Sequence, residues 1–116
     1  MSKTGCVAME DACRNMFIRM QPVFDMVCPT VDKGRKNFLS YNYVLYRCFH
    51  ILGLRYMLPD MQLLKGREKL LLQDRIFEKI AERLSWEFVD IEQLVQEVKR
   101  EEVERLAAID QQINNS

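Results

Sequence analysis

Histidine is nearly absent from this chain. His50 is the single one, and the four cysteines, Cys6, Cys13, Cys28 and Cys48, include no Cys-x-x-Cys pair. A tetrahedral zinc site draws on ligand pairs that share a turn, so no metal site is expected here. The isolated thiols read as small apolar groups on helix faces, and a disulfide framework is not needed where helices can supply a core. Glycine (four) and proline (three) are also scarce. That excludes a glycine-rich phosphate loop and a turn-rich disordered chain. No apolar run approaches the roughly 20 residues of a membrane helix, and Met1 to Cys6 lacks the apolar core of a signal peptide. The expectation is a soluble protein in a reducing compartment. Catalysis is not expected. His50 has no acidic or thiol partner at local spacing, and Cys48, two residues earlier, would point elsewhere on a helix.

What is present is a chain of 116 residues, 48% hydrophobic and 29% charged. That suits one domain, 1–116, with a modest core. The formal net charge is zero, but it is unevenly distributed. Residues 33–80 hold ten basic and four acidic side chains, whereas residues 81–116 hold four basic and nine acidic. A basic middle suits an anionic partner, and an acidic tail suits a different contact.

Hydrophobic spacing predicts an all-α fold, a small bundle of four or five helices around a central apolar one. The first helix spans 10–27, with a kink or break at Pro22 and an end at Pro29. Asn37 is a plausible N-cap for a helix over 38–52, which Gly53 ends. This helix is apolar nearly all round and is expected to be the most buried, with Phe38, Leu45 and Phe49 inside. A short turn over Leu54 to Met57 stops before Pro59. A helix over 67–84 carries the stripe Leu70, Phe77, Ile80 and Leu84. Asp74 lies among basic residues and reads, with Asp60 and Glu68, as ion-paired surface. Asp90 and Gln93 have the form of a capping box for a last helix over 90–113. The acidic segment 89–116 is expected to be partly independent, because Glu101, Glu102 and Glu104 interrupt its stripe before Leu106, Ile109 and Ile113 resume it.

Several blocks in order carry a resemblance. Arg35-Lys36-Asn37-Phe38-Leu39-Ser40-Tyr41 is followed by Tyr43-Val44-Leu45, Leu63-Leu64-Lys65, Arg67-Glu68-Lys69-Leu70, Gln73-Asp74, Ile80 and Trp86-Glu87-Phe88. Over roughly residues 14–88 this resembles the C-terminal part of the poxvirus late transcription factor 3 family, shared by poxviruses and other large DNA viruses. The resemblance implies a role in late viral gene expression with the virus-encoded RNA polymerase, other late transcription factors and promoter DNA. It places the work in the host cytoplasm at the viral factory, in the virion or in the host nucleus. Members also carry an N-terminal cysteine-rich zinc-binding part, which this sequence lacks. The expectation is therefore a short paralogue or one half of a split factor, with no cofactor of its own and zinc, if any, on a separate subunit. Gly66 departs from the Ser that the family favours there. Five helices around a central one would also allow a cyclin-box-like arrangement, by analogy alone.

Two kinds of contact residue follow. Arg35 and Lys36, and Lys65, Arg67 and Lys69, precede or open helices, where the macrodipole already favours anions. If they serve one partner, DNA or polymerase, they share one surface. The alternative is solvated charge. Trp86, Phe88, Leu106, Ile109 and Ile113 are candidate anchors for a protein partner, against a plain packing role for the two aromatics. Tyr41, Tyr43 and Tyr46 could stack on bases, but core packing is the simpler reading. A chain that had lost DNA contact would instead be an interaction scaffold or a virion structural subunit.

Overall fold

The computed structural model describes residues 2–63 and 66–114, with side chains from Ala8 onward. In chain order it contains α1 (Ser2–Val31), α2 (Tyr41–Ile51), a short 3-10 helix (Arg55–Asp60), α3 (Arg67–Leu84) and α4 (Ile91–Asn114). No strand occurs among the described residues, so the expected all-α architecture holds.

Helix α1 buries Cys13, Met16, Met20, Phe24, Val27 and Cys28, at the three- and four-residue spacing of one helical face. It is longer than expected and runs through both Pro22 and Pro29. Both prolines are on exposed positions, where solvent can take the carbonyl that each leaves without its intrahelical donor. The end is held by Thr30 Oγ1, which donates to the Val27 carbonyl at 2.6 Å, and by the Asp32 N–H, which donates to the Cys28 carbonyl at 2.8 Å.

Asn37 does not cap α2. That helix begins at Tyr41, and residues 32–40 form an irregular connection. Arg35 organises this loop, donating from Nε to the Asn37 carbonyl at 2.9 Å and from Nη2 to the Phe38 carbonyl at 3.2 Å. The loop is tied to α3 at its far end, where the Ser40 N–H donates to Gln73 Oε1 at 2.6 Å. A distant side chain thus holds the residue that precedes the helix, and among the described residues no side chain caps α2.

At its other end α2 closes as the glycine implied. Gly53 has φ +80° and donates to the His50 carbonyl, while the Leu54 N–H donates to the Phe49 carbonyl, the double bond of a Schellman closure. The following turn does not stop before Pro59. It is a 3-10 helix that includes Pro59 and buries Leu58. Helix α3 has the predicted bounds. Its end repeats the Schellman pattern with a non-glycine residue, Ser85, at φ 58°, as Trp86 N–H reaches the Ala81 carbonyl at 2.8 Å. Asp90 caps α4 through Oδ1, which accepts from the N–H groups of Glu92 and Gln93. The reciprocal half of the capping box is absent: the Gln93 side chain donates to Glu97 instead.

The most extensive packing is α1 against α3, with the 3-10 helix wedged against α2 and α4. Helix α2 is the most buried: Tyr43, Val44, Tyr46, Arg47, Cys48 and His50 are inside. It is not buried all round, however. Tyr41 is 67% exposed, and Phe38, Leu45 and Phe49 are half-buried at the core's edge. The molecule is elongated, 58 Å in its long dimension.

Candidate functional site

Folding divides the described basic residues of the middle region, 33–80, into two sets. Arg35 serves its own loop, with Asp32 3.9 Å away. Arg47 is buried against Asp74. Arg55 reaches Glu101 at 2.8 Å and Glu97 at 3.5 Å, so α4 is tied to the 3-10 helix. Arg67 is bidentate to Glu92 at 3.0 and 3.1 Å, in the open. These hydrogen bonds hold the Arg55 and Arg67 guanidiniums above their usual range and draw the Glu101 carboxyl below its own. Lys33, Lys36, Lys69, Arg75 and Lys79 are exposed and, among the described residues, make no ion pair. Lys65 lies outside the described residues. Of the expected basic cluster, then, Arg35 is a loop organiser, Arg67 is in a surface pair, and Lys36 and Lys69 remain available.

Arg75 and Lys79 line a groove of about 580 Å³ between the end of α1, at Thr30 and Val31, and the outer face of α3. The groove is not purely basic, since Glu78, Asp90 and Glu92 also line it. Sequence reasoning did not single out this pair, because the i, i+4 bases alternate with acids and read as an ordinary wet face.

The largest departure from expectation is at Asp74. It is buried, not on the surface. Its Oδ1 accepts from Arg47 Nη2 and from the Tyr43 hydroxyl, and its Oδ2 accepts from the Ile91 N–H at 3.0 Å. Arg47 further donates to the Val89 carbonyl at 2.7 Å and to the Tyr43 hydroxyl at 3.1 Å. Its guanidinium lies over the rings of Tyr43, Phe77 and Phe88. Burial pushes the Tyr43 hydroxyl well above its usual range, and that of Tyr46 to about 12. One sequence signal did exist: an arginine in the middle of a nearly all-apolar helix needs a buried acid.

The aromatic candidates fall on the packing side. Trp86 and Phe88 are half-buried against Phe77, each with ring centroids 6.4 Å from it. Tyr43 and Tyr46 are buried, so of these three candidates Tyr41 alone presents its ring to solvent. His50 is buried with Nδ1 unpartnered among the described residues, and desolvation lowers its pKa. Cys13, Cys28 and Cys48 are free and buried, and burial pushes the Cys48 thiol up to about 12. No three metal-binding side chains converge among the described residues, and no helix there is long and apolar enough to cross a membrane.

Helix α4 changes character along its length. Ile91, Leu94 and Val98 are buried, whereas Val103, Leu106, Ile109 and Ile113 are exposed. The three candidate anchors on this helix therefore lie on its open part.

Against known proteins, residues 7–88 match the family described as poxvirus late transcription factor VLTF3-like. The chain is 42% identical over 81 residues to the candidate transcription factor A494R of Paramecium bursaria Chlorella virus 1, a stretch covering 70% of this chain and 22% of that protein. It is 38% identical over 73 residues to the candidate transcription factor R429 of Acanthamoeba polyphaga mimivirus, covering 63% of this chain and 16% of that protein. The match thus spans less than a quarter of either relative. No solved structure matches the chain.

Proposed function

This chain belongs to the poxvirus late transcription factor VLTF3-like family, and from that premise we propose that it is a non-catalytic helical module that docks a basic surface onto an anionic partner, promoter DNA or an acidic face of the viral RNA polymerase. The observation that carries the reading is the division of the basic residues. Those needed for the fold are internally paired, while Lys33, Lys36, Lys69, Arg75 and Lys79 face solvent without an ion pair among the described residues. Arg67 belongs with the second set, because an exposed ion pair is weak and can exchange its carboxylate for a phosphate. Arg35 acts by shaping the loop that carries Lys36. The work would be done at the viral factory in the host cytoplasm or in the virion, with the host nucleus as the alternative. Other late transcription factors, and a separate zinc-binding subunit, are the partners that the family suggests.

The test is binding of duplex promoter DNA and of purified viral RNA polymerase across a salt series. If DNA is the partner, the logarithm of affinity falls with that of salt by about 0.9 per phosphate neutralised. Lys36→Glu with Lys69→Glu should weaken binding and flatten that slope while leaving the fold intact. Wild-type protein that binds neither partner, or a reversal that changes nothing, would overturn the proposal. A protein-only scaffold or virion structural subunit is the second reading, favoured by the exposed apolar end of α4.

A further inference from the structure

The apolar stripe of α4 does not stop where the body of the molecule stops. Ile91, Leu94 and Val98 pack inside, and Leu106 and Ile109 continue the same helical phase at 54% and 46% exposure. The position between them is Glu102. It is half-buried, lies in the stripe, and makes no ion pair among the described residues. Beside it opens a mainly apolar socket of about 220 Å³, lined by Leu58, Met61, Leu63, Val95 and Val98 and also by Lys99 and Glu102, which form no ion pair with each other. A carboxylate set in an apolar seam is costly unless it meets a cation, and such a polar seam position selects the register and identity of a helical partner.

We propose that α4 beyond Arg100, together with this socket, is the docking seam for an amphipathic helix of another protein, one that sets a Lys or Arg within its apolar stripe opposite Glu102. A second copy of this chain fits less well. Paired in parallel, each body would occupy the face of α4 that the other helix needs. Paired antiparallel, the segments beyond Arg100 would overlap for only about a dozen residues, a marginal length for a helix pair, and Glu102 would face apolar side chains. From Glu101 to Asp110 the helix carries four acids, Glu101, Glu102, Glu104 and Asp110, against Arg105, so two copies repel where a basic partner is attracted.

The experiment uses the full chain and two designed helical peptides with a Leu/Ile seam, identical except for one seam position that is Lys in the first and Glu in the second. By calorimetry the Lys peptide should bind more tightly by about tenfold or more, the worth of one charge-assisted contact. Glu102→Gln should bring the two affinities together. Leu106→Asp with Ile109→Asp should abolish binding, although it adds negative charge and would strengthen a merely electrostatic attraction. Circular dichroism verifies that the double variant keeps its helices. Equal affinities in the wild type, binding of neither peptide, or a wild-type dimer in sedimentation that the double variant converts to monomer would each overturn the proposal.

Discussion

Arg47 and Asp74, 27 residues apart in sequence, meet as a buried ion pair at the junction of α2, α3 and the first turn of α4. Through them one carboxylate serves three elements: the Arg47 and Tyr43 side chains of α2, the backbone of α3 that carries it, and the Ile91 N–H that opens α4. Truncating either partner leaves the other charge buried alone. Arg47→Ala and Asp74→Ala should each cost about 3–5 kcal/mol in denaturant unfolding. A loss under about 1 kcal/mol would mean that water reaches the site and that the pair is not what locks α4 to the body.

Ser85 holds the left-handed conformation that glycine usually supplies at a helix end, with φ 58°. It is exposed, so its side chain earns little from packing. Ser85→Gly should stabilise the protein by about 0.5–1 kcal/mol, relief of strain being partly offset by the added freedom of the unfolded chain. Destabilisation in thermal or denaturant melts would point to an unrecognised contact of the hydroxyl.

His50 sets a pH dependence. Its pKa is lowered in the fold by burial, so on acidification the unfolded chain takes up a proton at His50 before the folded one does. Stability should be fully present above pH 6.5, the unfolded value, and should fall as pH drops below it towards the folded value. The chain has one histidine, so His50→Leu should flatten the melting temperature just below pH 6.5. An unchanged slope in that variant would assign the loss to carboxyl groups.

Helix α4 should behave as two parts in hydrogen exchange. Amides of its buried half, around Leu94 and Val98, should be protected with the body, and Arg55→Ala should loosen them by removing the links to Glu97 and Glu101. Amides beyond Glu104 should exchange far faster than those of α2, since an isolated helix of this length is marginal. Protection beyond Glu104 equal to that of α2, in a demonstrated monomer, would sink the idea of a partly independent end.

Phe77 is fully buried, and its ring packs against those of Tyr43, Trp86 and Phe88. Phe77→Ala should cost about 3–5 kcal/mol. Half-buried Leu45 should cost less when truncated. A reversed order of the two losses would show that the edge of α2, not the α3 stripe, is the energetic centre.

How far the sequence reaches is seen best at α3. Its bounds and stripe follow from local periodicity, which any amphipathic helix must show wherever it packs. The all-α class, the Gly53 closure and the Asp90 cap were legible for the same reason, because each depends on residues within a few positions of one another. The start of α2 was not, since Ser40, the residue just before it, is held through its N–H by Gln73 from another helix. Nor was the persistence of α1 through Pro22 and Pro29, which depends on both prolines facing outward. Charge was legible only as composition. Which bases are consumed by the fold, as Arg47 and Arg55 are, and which stay available, as Lys36 and Lys69 do, depends on acids brought near by tertiary packing. Electrostatic pairing acts over a few ångströms in space and is indifferent to distance along the chain. That is why the ordered family blocks could be recognised in the sequence, while the reason for Gln73 and Asp74 among them came only from the packed structure.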